Sequence, residues 1–283
     1  MTDQLQRFLF DDYQIRGEIA NADHSFKEII KNHDFSPEVA KIVGELLVAT
    51  TLLTAMLKFE GKIAVQIQGD GPLKMAVINA DQNLQVRGTA RVEGDTTGLS
   101  FTQIVGKGNM MITITPDNGE RYQGIVDLQE ESLSACIENY FEQSEQLPTQ
   151  VILHANSTQA AGILIQTLPA TSENHEEDFQ HVCALANTAK EEELYTLTAE
   201  DLLYRLYHQE TVRLFDKQPI TFKCSCSKER CLTSLASITP EEILEIIKER
   251  GAIEMHCEYC ANDYRFEVSD LQILLGDEHN QQH

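Results

Sequence analysis

Two tight pairs of thiols carry most of the chemistry open to this 283-residue chain: Cys224-Ser225-Cys226, a gap of 30 residues, then Cys257-Glu258-Tyr259-Cys260. A Cys-x-x-Cys turn on a hairpin sets two thiolates on one side of the backbone, where a tetrahedral ion with metal–sulfur bonds of about 2.3 Å needs them. Side chains at i and i+2 of an extended segment also point one way, so Cys224 and Cys226 can converge on the same ion. With both pairs used, Cys224, Cys226, Cys257 and Cys260 close a four-coordinate Zn2+ site, one ion per chain. No position is left for water or substrate, which argues against catalytic zinc. The same thiolates are the groups an oxidant attacks first, so the metal is either a staple or a switch.

The remaining cysteines rank lower. Cys231 lies five residues beyond Cys226 in a stretch with Lys228 and Arg230 that favours its thiolate, and it competes as a ligand behind the four paired thiols. Cys136 and Cys183 fall on helical faces beside apolar neighbours and read as small buried hydrophobes.

Charge narrows the partners. The chain has 22 Lys plus Arg against 45 Asp plus Glu, a net charge of −23 whose field repels phosphate backbones and anionic membrane surfaces. Neither nucleic acid nor a membrane is an expected partner. The apolar run over 46–57 is too short for the roughly 20 residues that span a bilayer and reads as a core helix. The N-terminal stretch, with Asp3, Asp11 and Asp12, has no signal-peptide core, so a cytoplasmic location is expected. There disulfide frameworks are scarce, and seven cysteines, four of them paired in sequence, point to metal binding or redox chemistry. No Gly-x-x-x-x-Gly-Lys loop is present, and no enzyme activity is expected.

Local signals mark the elements that must hold the thiols. Ser36-Pro37 is a helix start, and the apolar pattern runs on to Lys58, predicting one long central helix closed by Gly61. Strand-like runs over 63–68, 73–79 and 84–92 predict an antiparallel meander. A second hairpin, 110–115 with 121–126, turns through Pro116-Asp117-Asn118-Gly119. A helix over 132–145 and strands over 151–154 and 163–168 complete a mixed α/β domain with an antiparallel sheet; the order is not βαβα, which disfavours a doubly wound nucleotide fold.

Over 173–216 there are eleven acidic residues against Lys190, Arg205 and Arg213. Two short amphipathic helices fit here. One shows Phe179, Val182, Cys183 and Ala186 on a single face; the other shows Leu202, Leu203, Leu206 and Tyr207 behind a Thr198/Asp201 capping box. Their narrow apolar faces and dense like charge fit either a solvated helical spacer or a conditional linker, stable only while docked. The C-terminal module has a Thr239-Pro240-Glu241-Glu242 capping box, a helix ended by Gly251, and a hairpin whose outgoing strand alternates Tyr264, Phe266 and Val268. Ser269 and Gln272 are expected to cap a last short helix. At about 50 residues this module is too small to hold together by burial alone, so metal binding would supply most of its folding energy.

The expected fold class is therefore α+β. It comprises an N-terminal substrate-binding domain over 1–172, a helical redox-sensitive linker over 173–221, a zinc-binding domain over 222–276 and a disordered tail over 277–283. A purely structural zinc knuckle and a thiol oxidoreductase using Cys257 and Cys260 remain as alternatives, the second without the βαβ context such motifs usually have.

Phe222-Lys223-Cys224-Ser225-Cys226-Ser227-Lys228-Glu229-Arg230-Cys231 followed by Met255-His256-Cys257-Glu258-Tyr259-Cys260 resembles the zinc centre of the 33 kDa heat shock protein family, bacterial redox-regulated holdase chaperones. The resemblance extends over essentially the whole chain, through Gly124-Ile125-Val126, Glu142-Gln143-Ser144-Glu145-Gln146-Leu147-Pro148-Thr149, Ala161-Gly162-Ile163-Leu164-Ile165-Gln166 and Leu168-Pro169. It implies a protein that is zinc-bound and quiescent when reduced. On oxidation, disulfides join Cys224 with Cys226 and Cys257 with Cys260, zinc leaves and the linker unfolds. Unfolding client proteins are then bound without ATP, and activated chains associate as homodimers. Cys231 has a family counterpart without a ligand role; Cys183 is not placed by the family pattern, and a side disulfide there would depart from it.

Overall fold

The chain begins with a hairpin that local signals did not mark, β1 (Gln4–Phe10) against β2 (Ile15–Asn21), followed by α1 (Asp23–Ile30) and the long α2 (Pro37–Ala55). The start of α2 is the expected one: the Ser36 hydroxyl accepts from the Val39 amide at 3.2 Å and Pro37 opens the first turn. The helix ends at Ala55 rather than at Lys58, which lies outside the residues described by this computed structural model, 2–57, 60–169 and 175–275. Over 39–55 every residue of α2 except Lys41 is buried. Its threonines tolerate this because the hydroxyls of Thr50, Thr51 and Thr54 donate to the carbonyls of Leu46, Leu47 and Thr50 at 2.7, 2.8 and 2.6 Å.

The expected meander follows as β3 (Gly61–Gly69), β4 (Leu73–Asp81) and β5 (Gln85–Val92), then α3 (Phe101–Val105) and the hairpin of β6 (Gly108–Pro116) with β7 (Tyr122–Asp127). The helix expected over 132–145 is α4 (Leu133–Tyr140) continued by one π turn, Phe141–Glu145. β8 (Thr149–Ala155) pairs with β9 (Ala160–Thr167), and β9 with β2. After them come α5 (His175–Ala186), α6 (Glu191–Thr196), α7 (Ala199–Tyr207) and three short strands, β10 (Val212–Leu214), β11 (Gln218–Pro219) and β12 (Thr221–Phe222). Two six-stranded sheets result. One runs β10-β1-β2-β9-β8 with β11 also on β1; the other runs β12-β5-β4-β3-β6-β7, antiparallel except where β12 meets β5. The fold is α+β, with α2 between the sheets: it touches β2, β8 and β9 of the first and β3, β4 and β5 of the second, and shares one apolar core with both.

β9 is buried along its whole length because both its faces are covered. Ala160 and Leu164 enter the core around α2. Ala161, Ile163 and Ile165 enter a second core with Phe8, Phe10 and Ile15, roofed by Val182, Leu202, Leu206 and Tyr207 of α5 and α7. Gly17 makes room there, since a Cβ on it would fall 2.1 Å from the Phe8 ring. Phe10 meets Tyr207 edge to face at 4.8 Å. Thr198 caps α7, accepting from the Asp201 amide at 3.1 Å. The described part of 173–221 is thus docked on the outer face of the first sheet, and it continues into strands that pair with β1 and β5. The chain divides into two compact units, Met1–Lys223 and Cys224–His283, which places the segment expected as a linker within the first.

The second unit contains α8 (Lys228–Leu235), which local signals did not mark, α9 (Pro240–Arg250), a hairpin of β13 (Ile253–His256) with β14 (Asp263–Phe266), and α10 (Gln272–Leu275). α9 has the expected capping box at Thr239 and ends on Gly251 at φ +78°. Glu267, not Ser269, caps the last turn: its amide donates to Asp270 Oδ2 at 3.0 Å and opens a 3-10 turn, Val268–Leu271, that leads into α10. Val268 is consequently exposed instead of continuing the alternation of β14. The core is Leu235, Ile243, Ile253, Phe266 and Leu271. The 277–283 tail lies outside the described residues. Among the described residues no helix is long and apolar enough to cross a membrane.

Candidate metal centre

Cys224 and Cys226 sit in the irregular segment before α8, and Cys257 and Cys260 in the turn that joins β13 to β14. Each half is fixed by local hydrogen bonds. The Ser227 hydroxyl caps α8 by accepting from the Arg230 amide at 3.2 Å, and Arg230 Nη1 reaches back to the Ser225 carbonyl at 3.0 Å and hydroxyl at 2.8 Å, holding the Cys-x-Cys segment in shape. Across the hairpin tip, the amides of Cys260 and Ala261 donate to the Cys257 carbonyl at 3.3 and 2.8 Å, and the Cys257 amide donates to Asn262 at 3.0 Å. Ala261 leaves the turn in the left-handed region, at φ +56°.

These two halves bring the four expected sulfurs together. The Sγ atoms of Cys224, Cys226, Cys257 and Cys260 all lie within 4.8 Å of one another, with Cys224 to Cys257 at 3.7 Å and Cys226 to Cys260 at 3.4 Å. A tetrahedron with metal–sulfur bonds of about 2.3 Å has sulfur–sulfur edges of about 3.8 Å, so the set fits a single four-thiolate metal ion. All four are free thiols in this state. Cys231 is not among them. It lies on α8, packed against the core of the second unit, and burial together with the charges of Cys226 and Cys257 holds its thiol above the ordinary range, which overturns the expectation that Lys228 and Arg230 would favour its thiolate. Cys136 and Cys183 are buried in the first unit as expected.

Ionisation within the cluster is uneven. Burial resists it at Cys226, but the Tyr264 hydroxyl, donating to Sγ at 3.0 Å, and hydrogen bonds from the other three thiols outweigh burial and bring the group down to about 7. Burial pushes Cys224 and Cys260 up. One thiolate forms easily and its neighbours resist adding charge beside it, as coupled groups do, and a dication offsets that accumulated charge. Tyr264 was legible only as an apolar strand position; its role as donor follows from the register of β14 against the Cys226 segment.

Similarity agrees with the geometry. A family model described as Hsp33 protein matches residues 3–267. Proteins named 33 kDa chaperonin from Shewanella frigidimarina and Aeromonas salmonicida are 51% and 50% identical to this chain, over 99% and 97% of it and 98% and 95% of their own lengths. The crystal structure of the 33 kDa chaperonin from Thermotoga maritima has the same fold, with a TM-score of 0.84 at 21% identity over 96% of this chain and 97% of that one. With four converging cysteines and a match along nearly its full length, the chain belongs to the Hsp33 family.

Proposed function

We propose that this chain is a redox-regulated, ATP-independent holdase, quiescent while reduced and metal-loaded and turned into a binder of unfolding client proteins by oxidation. The Hsp33 family is one of chaperones, not enzymes, and supports that class of function. The observation that carries the reading is four oxidisable sulfurs within 4.8 Å of one another in a unit whose apolar core is as small as Leu235, Ile243, Ile253, Phe266 and Leu271. Zn2+, one per chain, suits this closed thiolate set and when bound supplies about 10–16 kcal/mol of folding free energy, as in zinc peptides.

The residues themselves act as the sensor. Two thiolates, one peroxide and two protons give one S–S bond and two waters, first at one pair and then at the other, joining Cys224 with Cys226 and Cys257 with Cys260. A disulfide sulfur no longer carries the negative charge that ligation needs, so the second unit loses its main source of stability. Cys224 follows Phe222 of β12 by two residues, and backbone continuity carries the disturbance into 173–221. The apolar face of α5 and α7, with the sheet surface beneath it, then becomes client-binding surface. Activated chains pair as homodimers in the cytoplasm, and the net charge of −23 helps keep client complexes soluble.

The test is to oxidise the full chain with peroxide under mild heat while a chromogenic chelator reports metal release and light scattering reports client aggregation. One zinc per chain should leave in step with suppression of aggregation. Zinc loss without suppression, or equal suppression by the fully reduced chain, would sink the reading.

A further inference from the structure

Between α7 and the return through β10 and β11 lies a groove that neither the metal centre nor the docking of α5–α7 accounts for. Its cavity measures about 450 Å3. Tyr204 and Phe215 line it, two large hydrophobic side chains left 75% and 46% exposed. Gln6 also lines it and is only 6% exposed. The Gln6 amide nitrogen donates to the Phe215 carbonyl at 2.9 Å, which fixes the amide and leaves Oε1 buried without a hydrogen-bond partner. A buried acceptor in that state favours any donor that can reach it.

Glu200, Glu210 and Asp216 also line the groove. Glu210 is engaged by His181 at 2.9 Å and by Tyr13 at 2.7 Å. A visitor would therefore meet the carboxylates of Glu200 and Asp216, two aromatic rings and one unsatisfied acceptor. The complementary group is positively charged, offers donors and no acceptor, and can lie against a ring: arginine first, lysine second. Phe215 already receives such a group, since the Arg213 guanidinium lies 5.7 Å from its ring centroid while paired with Asp11 at 2.8 Å.

We infer that this groove binds an extended polypeptide segment through an arginine or lysine side chain that enters beside Tyr204 and Phe215 and donates to Gln6 Oε1. It deepens the holdase reading by naming a class of client segment, and rests on that reading only for the source of the segment. The groove needs α7 and β10 in place, so it belongs to the reduced, docked chain.

Fluorescence anisotropy on the reduced, zinc-loaded full chain at physiological salt tests this, with a short labelled peptide of alternating arginine, leucine and serine and a twin carrying glutamate for arginine. The arginine peptide should bind at least about tenfold more tightly than its twin. Tyr204→Ala, at an exposed position, should weaken it about threefold. Gln6→Met, which removes the acceptor, should weaken it about tenfold or more. Equal binding of the twins overturns the inference. So does arginine-peptide binding that both variants leave unchanged, which would mean general attraction to an acidic surface. Aggregation assays on the oxidised chain are separate: peptide binding without client protection would remove the holdase reading and leave the groove standing.

Discussion

The first unit encloses α2 between two six-stranded sheets and covers the far face of one of them with α5–α7, whereas the second hangs its helices and one hairpin on five buried side chains and four sulfurs. Burial on the scale of the first unit has nothing for an oxidant to remove. Ligation does, because the electrons that hold the metal are those an oxidant takes. The two units therefore answer different insults, and a chain that must sense oxidation while keeping a folded scaffold gains from separating them. A second contrast lies inside the first unit, where the core around α2 is reinforced from both sides while α5–α7 dock by one face only.

The sharpest way to break the contrast is to remove the ligands. Cys257→Ser with Cys260→Ser should abolish metal binding and unfold the second unit, a loss of the order of 10 kcal/mol, while the first keeps its cooperative transition. Hydrogen exchange resolved by segment would show it, and retained protection over 228–271 would contradict it. Conversely, Leu47→Ala, fully buried in α2, should cost the first unit about 4 kcal/mol in urea unfolding and leave metal content at one per chain. Metal loss in that variant would mean that the units are not energetically distinct.

pH separates them further. Burial holds Glu18 and Glu45 of the first unit up at about 7, although Arg16 and Arg7 oppose it at Glu18 and Lys41 at Glu45. Because the folded values lie above the unfolded one near 4.5, the fold binds protons more tightly. Stability of the first unit should thus be highest below about pH 4.5 as far as these two groups decide, and fall as pH rises through 7, by the order of 3 kcal/mol for each. Glu18→Gln should flatten that slope in urea titrations at pH 5 to 8; an unchanged slope would show that Glu18 is not the titrating group. The smallest effect is expected at Ala261. Its φ of +56° disfavours a side chain, so Ala261→Gly should steady the hairpin tip by about 1 kcal/mol or less, read as a slightly slower transfer of metal to a chelator. Faster transfer would mean that the turn is held by something other than its backbone.

Much of this was legible because its signals are local. Ser36-Pro37, the turn at 116–119, Thr239 with Glu242 and Gly251 each act within a few residues and appear where expected. β1 and β2 were not legible, since Gly17 and the buried Glu18 break the strand pattern and make sense only beneath Phe8 and the helices beyond it. α6 and α8 are short and charged, and are fixed by contacts rather than by an apolar stripe.

By itself the sequence determined which residues can ligate, since cysteine type and spacing decide that chemistry, and it determined the acidity that keeps polyanions away. Tertiary structure alone decided that the two cysteine pairs meet within 4.8 Å while Cys231 stays outside, and that Tyr264 donates to Cys226. It also decided that 173–221 lies on the outer face of a sheet. Those outcomes depend on strand register and on which apolar faces find each other across long stretches of chain, and no local pattern encodes either.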